Sequence, residues 1–195
     1  MKPFFIYLLL FIFTITSFNA NAQSGSGWDW SSTTGNANAT KGIRALTTDA
    51  SGNVYVTGGY NDSLTLGGTI FTGTPAGSNH GFVAKYDKLG NILWVTPVND
   101  GLASTIAIDA DGNSYIGGND RSSTTSNIGF SFTAKYDNNG NKVWYKIFTL
   151  NEVIAINVGP DGNPIAIDML PGFRNIYKLN KIDGSIIWTV TNTGT

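Results

Sequence analysis

The chain has 195 residues with a formal net charge of −1, 24 glycines, no cysteine and one histidine, and only 13% of its residues are charged. This near-neutral balance, without any run of lysine and arginine, excludes the basic surface that nucleic-acid binding requires. The lack of cysteine excludes disulfides, thiolate catalysis and Cys-ligated metal sites. Frequent Gly, Asn, Thr and Ser, with Glu152 as the single glutamate, favour many short strands joined by tight turns.

The first 22 residues are typical of a secretory signal peptide. Lys2 provides a positive start, residues 4–13 are apolar, and Ala20-Asn21-Ala22 has the small-residue pattern of a cleavage site. A transmembrane anchor is the alternative, but the apolar run is shorter than the roughly 20 residues that a spanning helix needs. We therefore expect cleavage at about Ala22 and a mature chain without a membrane span. It would be secreted to the periplasm, the cell surface or the medium.

Two sequence patterns alternate along the rest of the chain and recur in the same order, which indicates internal repeats. The first pattern occupies residues 49–56, 109–116 and, in a weaker form, 159–166. The second pattern occupies residues 82–94, 132–144 and 178–188. The repeats divide the chain into units at 42–100, 101–151 and 152–195. In the linker before them, residues 23–41, we interpret Trp28-Asp29-Trp30 as the last strand of an incomplete preceding blade.

Each unit is predicted to contain four strands joined by tight turns. In the first unit, strands at 45–48 and 54–57 flank a turn at Ser51-Gly52-Asn53, and a second turn at Gly90-Asn91 leads to the strand that carries Trp94. Gly and Asn between apolar runs are strong hairpin signals because both tolerate positive φ. Strands that are apolar on both faces favour sheets stacked on both sides, with the repeated Trp filling the space between them. We therefore predict an all-β fold of β-propeller-type four-stranded blades, with a β-solenoid or a sandwich as the alternative.

The pattern D-x-x-G-N-x-Y-x-x-G-G, followed by F-x-A-K-Y-D-x-x-G-N-x-x-W, resembles the seven-bladed beta-propeller (SBBP) repeat family of exported bacterial proteins. The resemblance is carried by residues 49–59 with 82–94, and by 109–118 with 132–144. Residues 64–70 also look like that family's insert before the third strand. The resemblance implies a propeller fold and no shared enzymatic activity, because a fold does not define a function.

The chain departs from this pattern in two ways. The third unit has Asp168-Met169 where the first two have Gly-Gly, and Pro164 stands at the start of a strand. In addition, three repeats plus one N-terminal strand are fewer than the four to eight blades of a closed ring. Three explanations stay open: a truncated fragment of a larger propeller protein, a ring completed by a homo-oligomer, or an open array. An open array would leave apolar faces and strand edges uncovered.

His80 lies in the Gly/Ser/Asn-rich stretch 77–81, so the sequence predicts an exposed loop histidine. A Ser-His-Asp triad would need this residue as its base, yet no G-x-S-x-G element or other nucleophile context is present. One histidine without cysteine also falls short of the three or four ligands of a zinc site. His80 is therefore not expected to act as a metal ligand or as a catalytic residue.

The acidic residues fall into two groups. Those that recur at turns are expected to cap the turns by accepting backbone N–H groups, and they are Asp49, Asp87, Asp109, Asp137 and Asp161. The others are freer to serve a function: Asp62, Asp100, Asp120, Glu152 and Asp168. Their spacing marks no pair of the kind that glycoside hydrolysis requires.

Calcium binding is a weaker alternative at one of these turns. Asp109, Asp111 and Asn113 place oxygens at alternate positions, as at the start of a calcium loop. The further acid and the bidentate Glu of such a loop are missing, because the next residues read as a strand. The sequence thus favours a plain hairpin turn, and we expect no other cofactor.

The variable connections between the second and third strands, at 59–81 and 119–131, are the best candidates for recognition, since loops on a rigid scaffold often bind ligands. Their polar side chains suit polar or carbohydrate-like ligands: Tyr60, Asn61, Asp62, Asn79, His80, Asn119, Asp120 and Arg121. Solvated connections without a ligand are the alternative.

The sequence as a whole predicts a non-catalytic, exported protein with a binding or structural role at the cell surface or outside the cell. Its partner would be a protein or a carbohydrate. A carbohydrate-active hydrolase or lyase, or the remnant of one, is the alternative function. A fragment of a larger propeller protein, without a function of its own, is the third.

Overall fold

The structure is a computed structural model that describes residues 42–61, 63–66, 68–72, 80–98, 101–120, 129–150, 152–170 and 172–193. The expected signal peptide at 1–22 and the expected strand at Trp28-Asp29-Trp30 lie outside these residues. In the described ranges every regular element is a β-strand, which confirms the prediction of an all-β fold. The described part also contains no helix of the length and apolarity that crossing a membrane would require.

The strands follow one another in three groups. The first group is β1 (Gly42–Thr48), β2 (Val54–Tyr60), β3 (Ser63–Leu66), β4 (Thr69–Thr72), β5 (His80–Tyr86) and β6 (Ile92–Val98). The second group is β7 (Gly101–Ile108), β8 (Ser114–Asp120), β9 (Phe130–Tyr136) and β10 (Lys142–Leu150). The third group is β11 (Glu152–Val158), β12 (Pro164–Leu170), β13 (Phe173–Leu179) and β14 (Ile186–Thr193).

Each group contains one four-stranded antiparallel sheet. Sheet 1 has the order β1-β2-β5-β6, sheet 2 the order β7-β8-β9-β10, and sheet 3 the order β11-β12-β13-β14. The insert between β2 and β5 forms a separate two-stranded hairpin from β3 and β4. Pro164 is accommodated as the first residue of β12, a position where a missing backbone N–H is tolerated.

The three sheets share local details that reflect the repeated sequence. The first strand of each sheet shifts register at the same place, between Ile43 and Ala45 in β1 and at the equivalent positions of β7 and β11. The predicted hairpin turns are present, and Gly52 and Gly112 adopt φ angles of 82° and 79° there. A side chain would be strained in this left-handed region, which is why glycine recurs at these turns.

The sheets pack in series through their first strands. β7 contacts β1, β2 and β5 of sheet 1, and β11 contacts β7, β8 and β9 of sheet 2. The core between sheets 1 and 2 includes Tyr55, Val83, Ile106, Ile116 and Phe132. The core between sheets 2 and 3 includes Tyr115, Trp144, Val153, Ile156 and Tyr177. Sheet 2 therefore buries both of its faces, which explains strands that are apolar on both sides.

Candidate functional site

The antiparallel topology gives the sheets two unlike ends. One end, here called the turn end, carries the tight turns at 49–53, 87–91, 109–113, 137–141, 159–163 and 180–185. The opposite end, here called the loop end, carries the longer connections from β2 to β5 and from β8 to β9. The residues that the sequence singles out are divided between these two ends.

At the turn end, four aspartates close their turns in the same way. Oδ1 of Asp87 accepts the backbone N–H groups of Leu89 and Asn91 at 2.8 Å each, and Oδ2 accepts the Asn91 side-chain amide at 2.7 Å. Asp49, Asp109 and Asp137 accept the equivalent hydrogen bonds, as predicted for turn caps. The Asn91 side chain, supported by the backbone donors, lowers the pKa of the Asp87 carboxyl because these bonds favour the charged form.

Between sheets 1 and 2, strand β6 is tied to a turn of the next sheet. The indole N–H of Trp94 donates to the Asn138 carbonyl at 2.9 Å, and Thr96 Oγ1 donates to the Gly140 carbonyl at 2.7 Å. The indole lies over Gly140, where a Cβ would come within 2.7 Å of the ring. Only glycine therefore fits beneath this ring without displacing it.

The same contact recurs between sheets 2 and 3. The indole N–H of Trp144 donates to the Lys181 carbonyl at 3.3 Å, and a Cβ on Gly184 would lie 2.8 Å from that ring. Lys135 Nζ donates to the same Lys181 carbonyl at 2.9 Å. We call this arrangement the inter-sheet clamp: the Trp of one sheet donates its indole N–H to a turn carbonyl of the next sheet and packs on the turn glycine, and a Lys of the same sheet contacts an oxygen of that turn.

A tyrosine lies beneath each clamp lysine. Lys85 Nζ is 4.9 Å from the ring centroid of Tyr55, and Lys135 Nζ is 5.3 Å from that of Tyr115, which suits cation–π attraction. The Tyr55 hydroxyl donates to the Gly112 carbonyl of the next sheet at 3.1 Å. Burial, as the largest cause, raises the pKa of Tyr55, so the hydroxyl keeps the proton that this hydrogen bond needs.

The recurring sequence pattern predicts that the tryptophans lie between sheets, but it does not single out Lys85 and Lys135. Both lysines lie in strands that are buried along almost their whole length, and both are buried themselves. Lys85 also contacts the Asn138 side chain of the next sheet. A lysine that recurs in a buried strand was the available signal, because buried lysines almost always have a partner.

At the loop end, the structure corrects the prediction for His80. His80 is the first residue of β5, is only 5% exposed and pairs with Tyr60 across the sheet. Their rings lie 5.5 Å apart, and Nε2 of His80 has no hydrogen-bond partner among the described residues. His80 is therefore a buried strand residue and not an exposed loop residue, because pairing with β2 extends β5 to this position.

Of the other predicted loop residues, Asn61 follows a strand, and the rest are strand ends or lie outside the described residues. Asn119 and Asp120 are the last residues of β8 and are buried, so the predicted connection at 119–131 begins later than expected. The Tyr145 hydroxyl donates to Oδ2 of Asp120 at 2.8 Å. Asn61 is partly exposed after β2. Three predicted residues lie outside the described residues: Asp62, Asn79 and Arg121.

The remaining acids outside the repeated turns take part in packing contacts. Glu152 accepts a hydrogen bond from the Ser104 hydroxyl, which links the first strands of sheets 2 and 3. Asp168 is fully buried and accepts bonds from the Tyr177 hydroxyl at 2.9 Å and from the Asn175 backbone at 3.1 Å. Asp100 lies outside the described residues.

The calcium candidates are arranged as a hairpin turn. The Asp109 carboxylate accepts the N–H groups of Asp111 and Asn113 and the Tyr115 hydroxyl, at 2.9–3.1 Å. Asn113 turns its amide nitrogen toward Asp109, whereas a calcium ligand would present the amide oxygen. Across the described ranges, no group of three acidic or histidine side chains is placed to hold a metal ion.

Comparison of the chain with protein-family models and with curated proteins gives no match. At the turn end, the polar side chains fix the turns and join the sheets. The longer connections join strand ends at the loop end, whereas the clamps lie at the turn end.

Proposed function

We propose that this chain is an exported, non-catalytic β-propeller-type repeat protein with a binding or structural role at the cell surface or outside the cell. The observation that carries the proposal is the hydrogen bonding of the recurring aspartates. Asp49, Asp87, Asp109 and Asp137 each direct both carboxylate oxygens to hydrogen-bond donors of their own turn. Carboxylates that are held in this way stabilise the turns, which is a structural role.

The serial packing of the sheets supports propeller-type blades. In a propeller, four-stranded sheets repeat radially around an axis, so each sheet must meet its neighbours in the same way. Here the same clamp joins sheet 1 to sheet 2 and sheet 2 to sheet 3. Export is supported by the sequence of residues 1–22.

The loop end is the proposed binding surface. Recognition commonly resides in loops that a rigid scaffold positions, and the clamps at the opposite end supply the rigidity. In sheet 1 the connection follows Tyr60 and returns at His80, and in sheet 2 it follows Asp120 and returns at Phe130. Polar residues dominate the connection from Asp120 to Phe130 and make up about half of the connection from Tyr60 to His80, which suits a carbohydrate or a polar protein surface.

A polysaccharide-binding assay with product detection tests this proposal. Replacing residues 121–128 by a Gly/Ser segment of equal length should abolish retention on any polysaccharide that retains the native protein. The control variant Asn139→Ser changes an exposed residue at the turn end and should bind like the native protein. Release of sugar products that Asp120→Asn abolishes would refute the non-catalytic assignment and favour a hydrolase or lyase.

A further inference from the structure

Among the described residues, no turn glycine of another sheet lies beneath the tryptophan of sheet 3, so sheet 3 presents one half of an inter-sheet clamp. Trp188 on β14 stands at the position that Trp94 and Trp144 hold in sheets 1 and 2. Trp144 is 7% exposed because it is seated on sheet 3, whereas Trp188 is 40% exposed. Val190, two residues further along the same strand, is also exposed. We call Trp188 and Val190 the tail surface.

Sheet 1 presents the complementary half. Leu46 on β1 is 65% exposed, whereas its equivalents in β7 and β11, Ile106 and Ile156, are 8% and 9% exposed because the preceding sheet covers them. Ile43 is exposed in the same way, while its equivalents are fully buried against the preceding sheet: Ala103 and Val153. Two apolar positions that are buried in sheets 2 and 3 are thus open in sheet 1.

The turn at 87–91 of sheet 1 also has a glycine that no indole of the described residues covers. Gly90 has a φ of 85°, as Gly140 has 82°, and its turn has the same Asp-capped geometry. Gly140 and Gly184 are buried beneath tryptophans, whereas Gly90 is exposed. The Lys88 carbonyl corresponds by position to the Asn138 and Lys181 carbonyls that accept the indole N–H bonds. We call Ile43, Leu46, Lys88 and Gly90 the head surface.

The head surface covers only part of the face of sheet 1. The middle of that face, at Val56 and Ala84, is already buried in a cluster that includes Leu64 of the β3–β4 hairpin. A docked sheet would therefore contact the first strand and the turn end. The turn end is where the two internal clamps make their hydrogen bonds, and the first strand is where Ile106 and Ile156 are buried against the preceding sheet.

We propose that copies of this chain associate head to tail through this contact. Trp188 of one copy packs on Gly90 of the next copy and donates its indole N–H to the Lys88 carbonyl. The occupant is a second copy because one chain carries both surfaces, and because the same pairing is made twice within it. Such a contact joins two different surfaces, so it generates a closed ring or an extending chain of copies.

The test is the mass of the purified protein in solution, measured by light scattering after size exclusion. The native protein should form oligomers, and both Trp188→Lys and Leu46→Lys should be monomers. The matched control is Ile187→Lys, because Ile187 and its equivalents Leu93 and Val143 are exposed in all three sheets. Trp188→Phe, which keeps an aromatic ring but loses the N–H, should weaken association about fivefold to tenfold.

Mixing the two monomeric variants separates head-to-tail association from any other kind. Trp188→Lys retains an intact head and Leu46→Lys retains an intact tail, so an equimolar mixture should form heterodimers and nothing larger. Thermal unfolding checks that both variants fold, and Trp188→Phe provides the comparison if a lysine variant does not. A monomeric native protein, or oligomers that persist in either lysine variant, would overturn the proposal, as would a mixture that stays monomeric.

Discussion

The indole N–H of Trp94 donates a hydrogen bond to the carbonyl of Asn138, which lies 44 residues further along the chain. The bond joins the last strand of one repeat to a turn of the next repeat. Because the ring also sits on Gly140, one contact combines a hydrogen bond, apolar packing and a requirement for glycine. The contact between Trp144 and Lys181 repeats this combination one sheet later.

Removing a clamp tryptophan should strongly destabilise the protein. Trp144→Ala leaves a cavity between sheets 2 and 3 and should lower the free energy of unfolding by about 3–5 kcal/mol. The neighbouring Val143 is exposed, so Val143→Ala should change it by less than about 0.5 kcal/mol. Urea unfolding monitored by circular dichroism measures both values. Similar values for the two variants would show that Trp144 does not join the sheets.

The glycine beneath each ring should tolerate substitution less well than a glycine in an open turn. Gly68 has a φ of 78° with open space around it, so Gly68→Ala should cost about 1–2 kcal/mol from backbone strain alone. Gly140→Ala adds a collision with Trp94 and should cost about 1–3 kcal/mol more. Thermal unfolding of both variants gives the comparison. An equal loss in the two would mean that the ring moves aside freely.

Acid should remove the contribution of the Asp137 cap. The hydrogen bond from the Asn141 side chain, supported by the backbone donors, lowers the pKa of the Asp137 carboxyl in the folded protein. Its stabilisation is therefore fully present above the unfolded-state pKa and is lost as the pH falls through the lower folded-state pKa. The difference in stability between the native protein and Asp137→Ala should therefore begin to shrink as the pH falls below about 5, toward the unfolded-state pKa of about 3.9, and should keep shrinking at lower pH.

Urea unfolding across this pH range is the measurement for the Asp137 cap. Asn139→Ala, in the same turn, removes an exposed neutral side chain, so its effect on stability should not depend on pH. A difference between native protein and Asp137→Ala that stays constant down to pH 2 would contradict the assignment of Asp137 as a charged cap.

Phenylalanine should be tolerated at position 80, because Nε2 of His80 is buried without a hydrogen-bond partner among the described residues. His80→Phe keeps an aromatic ring against Tyr60 and removes the unpartnered Nε2, so stability should stay equal or rise by up to about 1 kcal/mol. His80→Ala loses the ring contact and should be destabilising by about 1–3 kcal/mol. Differential scanning calorimetry distinguishes the two. A marked loss on His80→Phe would indicate that Nε2 has a partner.

The repeated turns and strands could be predicted from the sequence because short-range chemistry determines them. Gly52 and Asn53 fix a turn with positive φ, and Asp49 caps it, whatever lies on the other side of the sheet. The position of Trp94 between sheets followed from its recurrence. The four-strand count per repeat followed from the same two patterns.

The loop end could not be predicted as well because tertiary contacts decide it. Asn119 and Asp120 have the composition of a loop, yet pairing with β9 and the hydrogen bond from Tyr145 keep them in β8. His80 follows a Gly/Ser-rich stretch, yet pairing with Tyr60 places it in β5. Local propensity favours a loop at both sites, and cross-strand pairing outweighs it.

Each repeat carries its turn glycine a few residues before its own tryptophan, as Gly140 and Trp144 illustrate. One short stretch of sequence therefore encodes both a glycine on which a tryptophan can pack and a tryptophan. A tandem duplication of such a stretch would add a new turn glycine and a new tryptophan at once. Every new contact between neighbouring sheets would then have both its tryptophan and its glycine, without compensating changes elsewhere. The arrangement thus allows an ancestral gene to lengthen or shorten by whole repeats through recombination while the remaining joints stay intact.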